Sequence, residues 1–419
     1  MLEETRKPDV VIIGAGPAGT SASVHLSKAG VRHLILEKNT FPRDKICGDA
    51  LSGKVVQFLK ETDESWLQEL ATNYTDFIGS YGVRFVAPGG RELDIPFKSD
   101  LSTLSTAPGF IASRNDFDHW LVNKIDHHHA ELITGAEVKS IRRTSQGLNV
   151  EYTFRGQLNT ADAKLVIGAD GERSAVKKHL HPSGLKKEKD HYCAGLRRYY
   201  KGVTGFHEKN FIELHFLSEL LPGYLWIFPM SGGRANVGVG MLSSVISKKR
   251  INLKKLMDEL IATHPSLKNR FVNAEPLEET QGWGLPLGSK KRKISGDNFL
   301  LTGDAGSLID PFTGEGIGNA LISGKSAADT TIVALKEQRF DHTLLSAHDE
   351  KVYGALWAEL KLSRTLQRLT RYGWLFDFVV EKAARNRLLQ ETITGMFEDL
   401  ELRSRLSSPG FYLRLLFGK

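Results

Sequence analysis

"DVVIIGAGPAG", residues 9–19, decides the fold. Its first half is apolar and rich in β-branched residues, the pattern of a strand buried on both faces of a parallel sheet. It runs directly into Gly14-x-Gly16-x-x-Gly19. "PAGTSASVHLSKAG" then has the pattern of a helix closed by Gly30, and "RHLILEK" that of a second strand, so one βαβ unit of about thirty residues is expected. The glycines have separate duties there. Gly14 permits the tight turn, Gly16 lets a pyrophosphate approach the backbone, and Gly19 lets the helix pack on the strand, while the helix N-terminus faces the phosphates. Glu37 follows Gly19 by eighteen residues, at the end of the second strand. A carboxylate in that place accepts hydrogen bonds from an adenosine ribose and disfavours a ribose 2′-phosphate. The stretch points to a dinucleotide and leaves NAD and FAD both open.

Outward from this unit the pattern changes. "YGVRFVAPGGRELDIPF" (residues 81–97) has the form of two strands turning at Pro88-Gly89-Gly90. Residues 191–241 are strand-rich, and from Gly316 onward the pattern is mostly helical. Parallel and antiparallel regions that interrupt one another predict two interleaved domains. The expected boundaries are 1–75, 98–185 and 275–340 for the dinucleotide domain, 76–97 and 186–274 for an antiparallel sheet domain, and 341–419 for a helical C-terminal region. The 419 residues, 41% hydrophobic and 25% charged, suit a soluble chain of about two to three domains. Cys47 and Cys193 are the only cysteines. Two thiols are too few for a disulfide framework, which fits a reducing cytoplasm, and too few for a multi-cysteine metal site. The acidic start lacks the form of a signal peptide. No stretch approaches the ~18–20 apolar residues of a membrane span. "DHHHAE" (126–131) is read as a surface turn, so no metal is expected, and no basic-aromatic module suggests nucleic acid.

Three further stretches choose the cofactor by resemblance. "LVIGADGERSAVKK" (165–178) resembles the second dinucleotide fingerprint of the p-hydroxybenzoate-hydroxylase-like FAD enzymes, and "FLLTGDAGSLIDPFTGEGIGNA" (299–320) resembles their third. "ASRNDFDHWL" (112–121) carries Arg114 and Asp118 in the spacing those proteins use near FAD. Within that superfamily the chain resembles the geranylgeranyl reductase family. The likeness lies in "KICGDALSGK" (45–54), with a Cys-Gly beside the flavin, and in "PGYLWIFPMSGGRANVGVG" (222–240), similar to a Tyr-x-Trp-x-Phe-Pro motif.

The resemblance implies an α/β fold, α+β overall: a Rossmann-like FAD-binding domain with a parallel sheet, interleaved with an antiparallel-sheet substrate domain, and a helical C-terminal region. It implies FAD contacts from Gly14, Ala15, Gly16, Pro17, Ala18 and Gly19. Further contacts are expected from Glu37, Lys38, Arg43, Cys47, Gly48, Arg114, Val138, Asp170 and Gly171. Gly303, Asp304, Pro311, Gly314, Gly316 and Ile317 complete the set, with Asp304 on the ribityl chain and the helix amides near Ile317 on the N1 and O2 edge of the ring. Substrate contacts are implied for Tyr224, Trp226, Phe228 and Pro229. Strand alternation puts the three aromatics on one face, as a cavity wall for an isoprenoid or as ordinary core packing.

The implied activity is hydride transfer from reduced flavin to C=C bonds of a polyprenyl or other hydrophobic substrate, with Cys47 as a proton or redox relay. The reductant is NAD(P)H or a protein electron donor. Two alternatives stand beside it: a flavin monooxygenase or halogenase acting on an aromatic or carrier-bound substrate, and an electron-transfer flavoprotein. Halogenases have Trp-x-Trp-x-Ile-Pro where this chain has Tyr224 and Phe228, and Lys54, in a plausible region for their lysine, is expected to be a solvated charge. The net charge of +7 gathers towards the C-terminus, where residues 351–419 hold twelve Lys or Arg against seven Asp or Glu. Leu362, Leu366, Leu369, Phe376 and Val380 recur at helical spacing beside Lys361, Arg364, Arg368 and Arg371. Two readings follow: a helix packed on the FAD domain, or a contact of a cytoplasmic protein with the membrane surface, for which "GFYLRLLFGK" (410–419) is also suited.

Overall fold

The computed structural model describes residues 6–72, 76–98, 100–101, 104–386 and 390. Val10–Ile13 lies centrally in a six-stranded sheet, between Leu165–Gly168 and His33–Glu37 and parallel to both. Ala130–Thr134 closes one side of that sheet, and Phe299–Leu301 with the short Ser295–Gly296 closes the other. Alternation along the central strands separates two layers. Val10, Ile12 and Ile35 pack with Ala22 and Leu26 of helix Pro17–Lys28 and with Ala327 and Ala328 of helix Ile317–Glu337. Val11, Ile13, Leu34 and Leu36 face the opposite way. They meet Ile141, Leu148 and Val150 of a three-stranded antiparallel sheet (Glu137–Thr144, Gly147–Phe154, Gln157–Ala163) and Val352 and Leu356 of helix Ala347–Leu369.

A second, larger sheet runs Glu275–Pro276, Tyr192–Lys201, Arg234–Leu242, Tyr224–Met230, Ile212–His215, Gly82–Val86, Glu92–Pro96, and Gln281–Pro286 also pairs with Tyr192–Lys201. All its pairings are antiparallel except that of Ile212–His215 with Gly82–Val86. The hairpin expected at 81–97 is present, turning through Gly90 at φ 80°. Leu225, Ile227, Val237 and Val239 face helix Leu253–Thr263, and Tyr224, Trp226 and Phe228 take the other face. The expected boundary at 275 needs correction, because residues 275–286 belong to this sheet. Short, glycine-spaced strands such as "QGWGLP" show no period from which a pairing partner can be read. Ala50–Leu51, Gly109–Ile111 and Ile78–Ser80 form a small sheet between the two large ones.

Candidate FAD and substrate site

At the first motif the glycines are required for two different reasons. Gly14 has φ 96°, and a Cβ there would stand 2.4 Å from the Ala169 carbonyl oxygen; on Gly19 it would stand 1.8 Å from that of Gly14. Around Gly16 the space is open, the nearest atom being Arg43 Nη2 at 3.5 Å from a built Cβ. Glu37 is buried and accepts hydrogen bonds from the amides of Ala15 and Asn39, both at 2.9 Å. The Arg43 guanidinium lies 2.9 Å from Asp118 and 3.8 Å from Glu37.

Arg114 donates two bonds to Asp118, 2.7 and 2.8 Å, with both side chains buried. Burial favours the neutral form of Asp118, yet Arg114 and Arg43 outweigh it and hold that carboxyl below the usual range. Asp118, held by Arg114, in turn anchors Arg43 on the loop that carries Cys47. On the other side, Asp170 accepts from the Ala175 amide at 2.6 Å, and its Oδ1 is buried with no partner. Burial pushes its carboxyl up. Asp304 faces Lys45 Nζ at 3.3 Å. The helix Ile317–Glu337 starts at Gly316 with no capping side chain. Its first amides are available to an anionic or acceptor group.

These residues surround one cavity of about 1710 Å³, larger than the ~300–1000 Å³ typical of a small-ligand pocket. Gly14, Gly16, Pro17, Ala18, Glu37, Lys38, Arg43, Cys47, Gly48, Arg114, Val138, Asp170, Gly171, Gly303, Asp304, Gly314, Gly316 and Ile317 line it. Four expected residues stand behind the wall. Ala15 and Gly19 shape the turn and helix contact, Pro311 gives its carbonyl to Gln367 Nε2, and Pro229 pairs with Ala235 in the sheet. Tyr224, Trp226 and Phe228 give the same cavity an apolar lining, shared with Leu366, Leu369, Phe376 and Val380. Tyr224 Oη donates to the Thr313 carbonyl at 2.5 Å, and Trp226 Nε1 to Asn236 Oδ1 at 2.8 Å.

The surroundings suit FAD. Uncapped helix amides, open backbone at Gly16, the buried Glu37 carboxylate and the orphaned Asp170 Oδ1 supply donors and acceptors where a dinucleotide needs them. When bound, the flavin supplies hydride chemistry.

Lys54 differs from expectation. It is buried, donating to Asn319 Oδ1 at 2.7 Å and Glu359 at 2.8 Å, with Glu315 at 3.7 Å. Its helix packs against Ile317–Glu337, which turns an early helical lysine inward. Asp49 and Asn236 escaped the sequence reading. Asn236 did leave a signal, a polar residue within the otherwise apolar "ANVGVGML". Asp49 left none, because its place depends on a loop conformation. Cys193 is a poor nucleophile, since burial pushes its thiol up to about 12. Residues 126–129 form a turn in which Asp126 caps His128 N and contacts His129.

A Rossmann-type sheet with this donor set, walled by an antiparallel sheet, defines a flavoprotein. The FAD binding domain family matches residues 7–355. The digeranylgeranylglycerophospholipid reductase of Methanococcus vannielii is 30% identical over 379 residues, 88% of each chain. Two solved structures share the fold. A geranylgeranyl bacteriochlorophyll reductase-like protein from Thermoplasma acidophilum has TM-score 0.79 and 21% identity with 99% of each chain covered, and a flavin-dependent brominase has TM-score 0.75 and 21% identity with 93% of each covered. The chain belongs to the FAD binding domain family and, within it, to the geranylgeranyl reductases; it is an FAD-dependent oxidoreductase.

Proposed function

We propose that the protein reduces isolated C=C bonds in the polyprenyl chains of a lipid, with the hydride drawn from reduced FAD. The observation that carries this reading is the apolar chamber that Tyr224, Trp226 and Phe228 line together with Leu366 and Phe376, within the same cavity as the motif glycines. An unactivated double bond offers no polar handle, so its reduction depends on close positioning. The aromatic face orients the chain, the leucines beside it exclude water, and Asp118, held by Arg114, anchors Arg43 on the loop that carries Cys47. Lys54 argues against the halogenase alternative, since its ammonium is committed to Glu359 and Asn319. The reductant comes from outside the chain, as NAD(P)H docking for one turnover or as a protein donor.

The test is anaerobic: reduce the bound flavin, add a polyprenyl phospholipid, and follow the flavin absorbance. Reoxidation by the lipid without oxygen, with the chain saturated in the product, is the expected result. Reoxidation by oxygen alone, with hydroxylated or halogenated product, would replace the reading with the oxygenase one. No response to lipid or oxygen beyond free flavin leaves an electron carrier.

The same reading includes contact with a membrane surface. Among the described residues no helix is long and apolar enough to cross a membrane. At the break between helices Ala347–Leu369 and Gly373–Arg385, however, Leu369, Tyr372 and Trp374 are 42%, 57% and 71% exposed, beside Arg368 and Arg371. Apolar tips among cations suit an anionic lipid surface. Leu369 also lines the chamber, so this corner gives a lipid chain a route inward. The segment 410–419 lies outside the described residues.

A further inference from the structure

Asp49 follows Cys47–Gly48 on the loop between the nucleotide groove and the aromatic chamber, and it lines the cavity. Its backbone is left-handed, φ 68°, a conformation a non-glycine residue keeps where its surroundings over-determine it. Its side chain is wholly buried. Oδ2 accepts from Tyr199 Oη at 2.6 Å and from Asn236 Nδ2 at 2.8 Å. That same Asn236 amide donates to the Cys47 carbonyl at 2.8 Å and accepts from Trp226 Nε1 at 2.8 Å. The carboxyl is therefore tied at once to the loop beside the flavin groove and to the wall of the substrate chamber.

The other oxygen, Oδ1, is buried and takes no partner. An ionised carboxylate with one oxygen neither solvated nor bonded is costly. A neutral acid with its proton on Oδ1 removes the buried charge while both donors still serve Oδ2, and leaves one O–H that no protein acceptor holds. The charges facing it are already engaged. Arg197 lies over the Tyr199 ring at 4.0 Å and is bound by Asp44 and Glu278; Arg114 is bound by Asp118. Burial lifts the Asp49 carboxyl to about 6, against the pull of Tyr199, Arg197, Asn236 and Arg114 towards the ionised form.

We propose that Asp49 is the proton donor of the reaction, with Tyr199 and Asn236 as its positioning residues. This rests on the reductase reading, in which every hydride added to a double bond must be matched by one proton. The π bond breaks, one carbon takes the hydride and its electron pair from the reduced flavin, and the neighbouring carbon takes the proton from Asp49 Oδ1. Asp49 is left as a carboxylate and the flavin oxidised, and a proton from water that enters the cavity once the product has left restores the acid.

The experiment has two readouts on the holoenzyme. In infrared difference spectra, a protonated-carboxyl band should vanish as pH rises through about 6, should be missing in Asp49→Asn, and should persist to higher pH in Tyr199→Phe, which removes a donor to the ionised form. In anaerobic single turnover, Asp49→Asn should keep its flavin and its spectrum yet be reoxidised by polyprenyl lipid roughly 10²-fold more slowly or worse. Wild-type reoxidation rates in Asp49→Asn overturn the proposal. So does a titrating band that survives in that variant. Should Asp49→Asn not fold, an unmoved band in Tyr199→Phe overturns it. If the wild type itself ignores every polyprenyl lipid, the reductase reading fails and takes the donor role with it, while the band still reports the proton on Asp49.

Discussion

Gly19 and Gly316 both belong to dinucleotide motifs, but a side chain is excluded from each for a different reason. At Gly19 the obstacle is the protein itself: an added Cβ lies 1.8 Å from the Gly14 carbonyl oxygen. Gly19→Ala should lower the stability of the flavin-free protein by at least ~1–3 kcal/mol, measured by urea unfolding. At Gly316 a Cβ makes only ordinary contact, 3.4 Å from Ile309. Gly316→Val should therefore unfold like the wild type and yet purify colourless, since the added bulk stands where the flavin is expected; a yellow, active variant would refute that placement. Lys54 is a third kind of residue. Breaking a buried ion pair costs ~3–5 kcal/mol, and Glu315 and Glu359 keep some solvent contact. Lys54→Met should thus destabilise by an amount near or below the low end of that range. Its burial was not legible, because a lysine early in a helix reads the same whether another helix covers it or water does.

Among the elements, the helix pair Ala347–Leu369 and Gly373–Arg385 bears on both readings that the sequence left as alternatives. Leu362, Leu366, Phe376 and Val380 of its apolar stripe line the cavity, while Leu369 is exposed beside Lys361, Arg368 and Arg371. The stripe was legible from its period. Its target was not, since periodicity identifies a buried face and never what covers it. Deleting the segment from residue 351 would open the cavity, so point changes are the cleaner probe of membrane contact. Arg368→Gln and Arg371→Gln should each weaken partition onto anionic vesicles by about 1 kcal/mol, roughly fivefold, with the difference fading in high salt. Unchanged sedimentation with such vesicles would restrict these arginines to solvation. The strand Tyr224–Met230 contributes to the same lining. Its alternation was legible; that this face both packs on Phe216 and borders the cavity was decided by tertiary structure.

Across the whole molecule the chain returns to its starting sheet after almost three hundred residues. Phe299–Leu301 extends the sheet begun by Val10–Ile13, and helix Ile317–Glu337 packs on Pro17–Lys28, with Ser21 Oγ donating to the Leu321 carbonyl at 2.7 Å. A chain ending before residue 295 should accordingly fail to fold cooperatively or hold flavin, seen as exposed tryptophan fluorescence and loss of a sharp thermal transition. Flavin itself should stabilise the full chain by about 2.7 kcal/mol at a hundredfold excess over Kd. Local sequence by itself determined the βαβ unit, the glycines of its turn, the acid at Glu37 and the alternating aromatic strand, because each depends on neighbours within a few residues. Tertiary structure alone decided the membership of residues 275–286, the burial of Lys54 and the meeting of Asp49 with Tyr199 and Asn236. Those depend on strands and loops distant in the chain coming together, and no local period records which partner a segment will meet.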